Sequence, residues 1–407
     1  MPDTATRPLR DFAIHKGLIG GPFGSNLVKA DYTESGVPVI RGQNLSGSGF
    51  FSSRDFAYVS EEKANGTLSR NLALPNDIVF TQRGTLGQVG IVPNEPHERY
   101  VVSQSQMRLR IDRSRTDARY IYYCFRDPAM VARIHARAIT TGVPHINLGI
   151  LAELPIPDHP LPIQRAIAEV LGALDDKIAV NERIAETALA LAKAHMEAVD
   201  QTVSVRVSDV AKIFDGPHAT PQKTTEGPWF LSISSLKGGL LDLAESAHLT
   251  EDDFPRWTRR VQPSEGDVLF SYETRLGEVA LMPPGVRASL GRRMGLLRPK
   301  PGAIRSVLLL HAYLSPPFQE EIRRRTVHGA TVDRIPLKEM SNWPITLPAA
   351  GVRDQLSAAL EALHTSINHV AVENRTLADL RSTLLPQLIS GKICVKDAMR
   401  VVEDFAS

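Results

Sequence analysis

Two stretches of the chain place apolar residues at the three-to-four spacing that a helix converts into one face. In the first, Ile163, Ile167, Leu171, Leu174 and Ile178 lead into Ala185, Ala188 and Ala192. In the second, Leu356, Leu360, Leu363, Ile367, Val370, Leu377 and Leu384 redraw the stripe, and an offset of 189 residues lays Leu356 on Ile167 and Leu360 on Leu171. One asparagine interrupts each stripe, Asn181 or Asn374, and a polar group on a helical seam fixes register at some loss of stability. Stripes of about five to six heptads outrun the edge of one domain, so the two helices are expected to pack on each other. The predicted packing residues are Ile167, Leu171, Leu174, Ile178 and Asn181 with Leu360, Leu363, Ile367, Val370, Asn374 and Leu377. Prolines mark where each helix begins, in "LPIPDHPLP" (154–162) and "WPITLPAAG" (343–351), because proline is tolerated at a helix start and not inside.

Ahead of each stripe the pattern changes to short β-rich runs broken by Gly, Pro and Asn, followed by a helical segment near 119–137 or 306–325. These runs recur. Gly21-Pro22 returns as Gly216-Pro217, and "GVPVIRGQNL" (36–45) as "GPWFLSISSL" (227–236). "NDIVFTQRGTLGQVGIVP" (76–93) returns as "GDVLFSYETRLGEVALMP" (266–283), keeping Asp77/Asp267, Phe80/Phe270 and Gly87/Gly277 in step. "SQMRLR" matches "RRMGLL" with Met107 on Met294, and "AELPIP" matches "SNWPIT". The chain is therefore one globular head on a helical arm, written twice.

Composition removes several classes of function. With 407 residues the chain exceeds the size of one growing core. The opening "MPDTATRPLRD" has no apolar segment, and no apolar run approaches the ~20 residues that cross a bilayer, so no membrane role and a cytoplasmic location are expected. Cys124 and Cys394 lie far apart without a C-x-x-C partner, and the twelve histidines form no H-x-x-x-H pair, so no metal site is expected. Net charge is only +2, but it is unevenly spread. Residues 99–137 carry nine Arg against three Asp, and residues 287–325 carry eight Arg and one Lys against two Glu, giving +6 and +7 in segments of equal length. A repeated basic cluster needs a shared cause.

Motifs that suggest catalysis are weak. "GLIGGPFGSNL" (17–27) lacks the lysine of a P-loop and the spacing of a dinucleotide loop, and reads as a tight turn of glycines with positive φ. "SPPF", Ser315 to Phe318, matches the [DNS]-P-P-[FYW] motif with which amino-methyltransferases hold a flipped adenine. It has no glycine-rich methyl-donor loop upstream, and its counterpart in the first half is "RDPA". Asp55, Glu61 and Lys63 resemble a nuclease set, but the second half has no matching lysine, which favours a solvated loop. No catalytic residue is predicted.

What remains is a doubled surface of Arg with Asn, Gln and Ser, the mixture that neutralises phosphates and reads base edges. In the first half the candidates are Ser25, Asn26, Lys29, Arg41, Gln43, Asn44, Gln82 and Arg83. Alternation in "VVSQSQMRLRI" adds Gln104, Gln106, Arg108 and Arg110 on one strand face. The second-half candidates are Lys223, Ser234, Ser235, Lys237, Tyr272, Arg275, Arg292 and Arg293.

Three segments carry a family resemblance: "GGPFGSNLVKADYTESGVPVIRGQNL", "ITTGVPHINLGILAELPIPDHPLPIQRAIAEVLGALDDKIAVNERI" and "LADLRSTLLPQLISGKICV". With them the chain resembles, over essentially its whole length, the specificity (S) subunit of type I restriction-modification systems. That resemblance implies an α+β, pseudo-two-fold fold in which two target recognition domains (1–158 and 201–348) are separated by two long helices (159–200 and 349–391) forming an antiparallel coiled coil, with a tail at 392–407. It implies that each head reads one half of a bipartite site in double-stranded DNA, while the helices set the spacing and dock two methyltransferase (M) subunits, restriction (R) subunits joining the complex. No cofactor is expected on this chain; S-adenosylmethionine, ATP and Mg would belong to the partners. Two rivals stand beside it: an adenine methyltransferase using Ser315 to Phe318, and a repeat scaffold that binds no DNA.

Overall fold

The computed structural model describes residues 4–45, 49–53, 55–329 and 332–406; Ser407, the end of the expected tail, lies outside them. The chain forms two compact units, one of residues 1–181 with 373–407 and the other of residues 182–372. The division falls inside both long helices, Leu161–Glu197 and Ala350–Ile389. Among the described residues no helix is long and apolar enough to cross a membrane.

In the first unit a four-stranded antiparallel sheet runs in the order Ala13–Gly20, Gln106–Ile111, Ile78–Thr81, Val89–Ile91. A second sheet orders Tyr32–Thr33, Ala57–Val59, Val37–Ile40, Tyr100–Val102 and Leu72–Ala73, and its pairing of Val37–Ile40 with Tyr100–Val102 is parallel. Short strands Thr6–Pro8 and Pro155–Pro157 pair beneath the helix start. The second unit repeats this plan. Its four strands are Ala211–Asp215, Met294–Pro299, Val268–Ser271 and Val279–Leu281, in the same order and again antiparallel. Thr224–Phe230 lies between antiparallel Ala247–His248 and parallel Ala288–Ser289, and Thr202–Arg206 pairs with Pro344–Pro348. Strands Ile78–Thr81 and Val268–Ser271 are buried at every position, which is why they read as continuous apolar runs and not as alternating ones.

One electrostatic clasp recurs in both sheets. Asp77 and Asp267 are almost fully buried, at 3% and 1% exposure. Each follows a residue with left-handed backbone, Asn76 (φ 69°) or Gly266 (φ 81°), a conformation that glycine takes freely and asparagine tolerates. The carboxylate accepts the backbone N–H three residues back, from Leu74 or Ser264 at 2.8 Å. It is then gripped by two guanidinium nitrogens from the neighbouring strand, those of Arg110 at 2.9 and 2.7 Å and of Arg298 at 2.8 and 2.6 Å. A buried carboxylate held this way is stable only with its partner in place.

The strand register corrects one expected match. Gln106 lies opposite Thr81 and Met294 lies opposite Ser271; Gly21 donates to the Gln106 carbonyl and Gly216 to that of Met294. Met294 is thus the counterpart of Gln106, and Met107 corresponds to Gly295. A one-residue slip in a strand exchanges its two faces, and this one brings Arg110 onto Arg298.

The expected segment 119–137 is in fact two helices, and the segment 306–325 breaks at Pro316-Pro317 between two. Ala118–Arg126 gives way to Pro128–Ala136, and Ser306–Leu314 to Pro316–Arg325. Proline sits at the first position of each second helix, and Asp127 caps its helix by accepting from Ala129 at 3.2 Å. The proline ring forbids a continuous helix there and suits a new start.

The long helices pack on each other within both units. In the first, Ile167, Leu171 and Leu174 share an apolar cluster with Leu380, Leu384 and Leu388, and Ile178 is buried beside them. Asp175 pairs with Arg381, Asn374 Nδ2 donates to the Ile178 carbonyl at 3.4 Å, and Asn181 Nδ2 donates to Asn374 Oδ1 at 2.8 Å. Numbers rise along one helix as they fall along the other, so the pairing is antiparallel. In the second unit Ala192 clusters with Leu356 and Leu360, and Leu363 packs against them. Ile367 and Val370 are buried there, while Leu377, in the first unit, is half-buried. Ile163, first in the predicted stripe, is 42% exposed, so the seam begins one turn later than its pattern suggests.

The contact from head to helix differs between the copies. Tyr123 donates its hydroxyl to Asp175 at 2.7 Å in the first unit. At the equivalent positions of the second, His311 and His364 share a hydrogen bond between Nε2 atoms at 2.9 Å. Burial pushes His311 down to about 3, with the neighbouring imidazole adding to the effect, and burial pushes His364 down to about 4, from an ordinary 6.5.

Substitution tests both the clasp and the histidine pair. Asp267→Ala leaves Arg298 without its countercharge, and the urea unfolding of the chain is expected to lose about 3 kcal/mol of stability; a loss under about 1 kcal/mol would contradict a structural role for the clasp. For the histidine pair, the unfolded chain takes up protons below pH 6.5 that the folded chain refuses until about pH 4. Stability is therefore intact above pH 6.5 and declines as pH falls through that window, by up to about 1.4 kcal/mol per pH unit for each histidine. The double change His311→Phe with His364→Leu is expected to flatten that decline, which thermal melting from pH 7 to 4 measures.

Candidate nucleic-acid interface

The turns that end the two sheets of the first unit leave side by side. Strands Val37–Ile40 and Tyr100–Val102 run parallel, so residues 41–44 and 103–105 emerge together, and Ser103 N–H donates to the Ile40 carbonyl at 3.1 Å. The Ser105 carbonyl accepts from Gln82 N–H at 2.7 Å and Arg83 N–H at 3.4 Å, bringing in residues 82–84. Gln104 Nε2 donates to the carbonyls of Gly24 and Leu27 at 2.8 and 2.7 Å, bringing in the turn 20–27. Four separate stretches of sequence thus meet at one end of the unit. The second unit assembles the same stretches: 215–221, 231–235, 271–278 and 290–293, with the Ser289 carbonyl accepting from Leu231 at 3.1 Å and that of Arg293 accepting from Tyr272 at 3.2 Å.

The glycines of the first turn act mainly through close approach. Only Gly24 has a positive φ, 55°; a side chain on Gly17 would collide with the Arg110 carbonyl and one on Gly21 with the Ser103 carbonyl. The expectation that these glycines all serve left-handed backbone is corrected accordingly.

The predicted contact residues separate into exposed and internal groups. In the first unit Ser25, Asn26, Lys29, Gln43, Arg83 and Gln104 are exposed, and Arg41 and Gln82 are half-buried. Gln104 braces the turn, and Arg41 and Gln43 donate to the Asp55 carbonyl at 2.6 and 2.8 Å. Asn44 is buried, accepting from Arg41 N–H at 2.9 Å and donating to Ser52 at 3.0 Å. Gln106 is buried against Ser103. Arg108, 6% exposed, lies 3.9 Å from Asp77, and Arg110 belongs to the clasp. Alternation along that strand is real, but the face it selects for Gln106 and Arg108 points into the unit.

In the second unit Lys223, Lys237, Arg275 and Arg292 are exposed, Ser234 and Arg293 half-buried, and Ser235 and Tyr272 buried. Acids neutralise much of this surface. Lys237 meets Asp242 at 2.8 Å, Arg275 meets Glu278 at 2.7 Å and Arg293 meets Glu273 at 2.9 Å. Ser234 turns to the Glu245 carbonyl at 3.4 Å and Ser235 to Ser246 at 2.6 Å. Lys223 and Arg292 have no ion pair among the described residues.

The contrast between the units is chemical. Segments 20–30, 81–88, 103–106 and 137–146 of the first hold no Asp or Glu but carry Lys29, Arg83 and Arg137. Their counterparts in the second include Asp215, Glu273, Glu278 and Asp333. The same scaffold thus presents a cationic end in one unit and a charge-balanced, hydrogen-bonding end in the other.

The enzyme-like motifs are engaged elsewhere. Phe318 is 1% exposed and packs on Tyr313 with ring centroids 5.0 Å apart, and Ser315 Oγ donates to the Ala312 carbonyl at 2.7 Å. That aromatic ring is part of the core and cannot stack on a flipped base. Lys63 pairs with Asp31 at 3.1 Å and Glu61 with Arg99, so Asp55, Glu61 and Lys63 do not converge on one another's charges. Two features went unread in the sequence: the Asp77 and Asp267 clasps, signalled by an Asp kept in step in both copies, and Phe23, signalled by an aromatic between Pro22 and Gly24.

Residues 24–189 match the family model of the type I restriction modification DNA specificity domain. Among solved structures, the S subunit of a type I restriction-modification system from M. genitalium is similar at 16% identity and a TM-score of 0.56, over 95% of this chain and 96% of that one. A chain described in work on complex assembly and conformational transition of the type I R-M system matches at 17% identity, 97% and 99% coverage and a TM-score of 0.40. The HsdS subunit from Thermoanaerobacter tengcongensis matches at 15% identity, 96% and 98% coverage and a TM-score of 0.35. The first of these scores shows a shared fold; the other two are too low to bear on it.

The bracing by Gln104 is directly testable. Gln104→Ala removes two neutral hydrogen bonds, and amide exchange at residues 24–27 is expected to speed up by about tenfold or more while the melting temperature stays nearly constant. Unchanged exchange would show that the turn is held by other contacts.

Proposed function

We infer, from the match of residues 24–189 to the type I restriction modification DNA specificity domain and from the repeat of that plan in the second unit, that this chain is a specificity subunit that recognises DNA and directs partner enzymes to a split sequence. Members of this family are in general non-catalytic, and the chemistry of methylation and cleavage would reside in methyltransferase and restriction subunits. The observation that carries the finer reading is the pair of equivalent sheet ends with unlike side chains. Each unit gathers four loops at one end, and a cationic end in one with a charge-balanced end in the other suits two unlike half-sites.

In this reading Lys29, Arg83, Lys223 and Arg292 approach phosphates, because they are exposed cations without an acid partner among the described residues. Ser25, Asn26 and Gln82 stand where base edges would be read. Arg108 and Arg110 face Asp77 within the sheet and contact no DNA in this reading. The long helices would act as spacer and as docking faces for two methyltransferase subunits, since a helix converts residue count to distance at about 1.5 Å per residue. S-adenosylmethionine, ATP and Mg would be bound by those partners.

Binding measured with the reconstituted complex tests this. Replacing Lys29 and Arg83 by Ala is expected to weaken binding to all duplexes alike and to flatten the plot of log K against log salt by about one unit for each phosphate no longer neutralised. No affinity for DNA with methyltransferase subunits present, or no salt dependence, would favour the protein-only scaffold. Removing seven residues from each long helix, one heptad on both sides of the seam, is expected to change the number of unread base pairs between half-sites or to abolish assembly. An unaltered spacer in an assembled complex would remove the helices from that role.

A further inference from the structure

We propose that Phe23 is a base-contacting residue of the first recognition unit, a role that rests on the DNA-reading function inferred above. Phe23 is 82% exposed, far more than the next large apolar side chain among the described residues, Val143 at 57%. An aromatic ring held in water gives up the burial that a phenylalanine usually gains. Its backbone is nonetheless tightly fixed. Asn71 Nδ2 donates to the Gly20 carbonyl at 3.0 Å, Gly21 N–H to the Gln106 carbonyl at 2.8 Å, and Gln104 to the carbonyls of both Gly24 and Leu27. Leu27, four residues on, is buried in an apolar cluster. The turn is therefore pinned on both sides of a side chain that stands out in solvent.

The surroundings select the partner. The stretches 20–27, 41–44, 82–84 and 103–105 that meet at this end carry no carboxylate, Asp55 adjoining them through its carbonyl at Arg41 and Gln43, and Gln104, which holds the turn, is next to Ser105, whose carbonyl holds Arg83. The nearest acid along the chain, Asp31, is paired with Lys63 at 3.1 Å. An exposed phenyl ring in a cationic setting, pre-ordered so that little entropy is lost on binding, matches a polyanion that also offers flat apolar surface. Bases provide that surface as a stacking face, a thymine methyl or a step to be wedged. The second unit supports the assignment independently. After the same Gly-Pro pair it presents His218, whose Nε2 lies 2.9 Å from Asp215. Both units thus raise a ring at the same point of the same turn, one apolar and one able to hydrogen-bond.

The test uses the complex of this chain with its methyltransferase subunits and a fluorescein-labelled duplex carrying the site mapped by methylation sequencing of host DNA. Phe23→Ala is expected to weaken binding by about tenfold or more, as removal of one base-aromatic contact does, with the salt slope unchanged because every phosphate contact is kept. Phe23→Tyr is expected to retain nearly full affinity. Wild-type affinity for Phe23→Ala, with the wild-type complex binding normally, would overturn the role of Phe23 alone; a wild-type complex that fails to bind any duplex would overturn the function beneath it. Loss of methyltransferase assembly in Phe23→Ala, with the melting temperature intact, would assign the ring to a protein contact and overturn the proposal. If Phe23→Ala does not fold, Phe23→Trp decides, since its added emission is expected to be quenched by the duplex, and unchanged emission would count against base contact.

Discussion

A single buried asparagine fixes how the long helices meet. Asn181 is fully buried on a face otherwise made of Leu174 and Ile178, and its amide nitrogen reaches two acceptors, Glu373 at 2.7 Å and Asn374 at 2.8 Å. A shift of register along the seam would carry that donor away from both acceptors and leave its buried N–H groups unpaired, which disfavours the shift. Apolar stripes alone are permissive, because Leu facing Leu tolerates several registers; a polar pair is not. Asp175 with Arg381 repeats the constraint earlier on the same helix. With the register set, Leu380, Leu384 and Leu388 join the core that Ile167, Leu171 and Leu174 share with the first sheet's helices.

Each unit then solves the same problem independently. A buried Asp–Arg clasp ties one end of the paired central strands, leaving the opposite end of those strands free to carry loops of any composition. Scaffold and reading surface are thereby separated within the fold. Loops can differ between the copies, as Gly20 differs from Asp215 and Gln82 from Tyr272, while the order of the four-stranded sheet, the parallel pairing and the helix breaks stay the same. That separation lets the two copies keep one scaffold while their loop ends differ in charge.

The duplication was legible because shared backbone needs leave residue signatures. Gly-Pro at the sheet end and Asp before the buried strand cannot be exchanged freely, so they mark both copies. The helix stripes were legible through period alone. Less visible was the face each strand residue occupies: Gln106, Arg108 and Arg110 alternate as a surface strand does, but Gln106 and Arg108 are buried, and Asp77, remote in sequence, holds the half-buried Arg110. Matching Met107 to Met294 failed by one residue for the same reason, since short apolar strands align almost as well one step out of register. The exposed Phe23 was hidden because aromatics usually belong to cores, although flanking Pro and Gly argued for a turn. The polar pairs between head and helix, Tyr123 with Asp175 and His311 with His364, involve residues 52 and 53 apart and carry no local pattern at all.

In the proposed function this chain chooses where other proteins act on DNA, one half-site per unit. Methylome sequencing of the host, with the chain intact, deleted, and carrying the first recognition unit of another chain that matches the same family model, addresses it most directly. The expected result is one bipartite methylated motif that disappears on deletion and, in the exchanged chain, changes in one half only. Methylation that persists unchanged without the chain, or an exchange that alters both halves together, would contradict it.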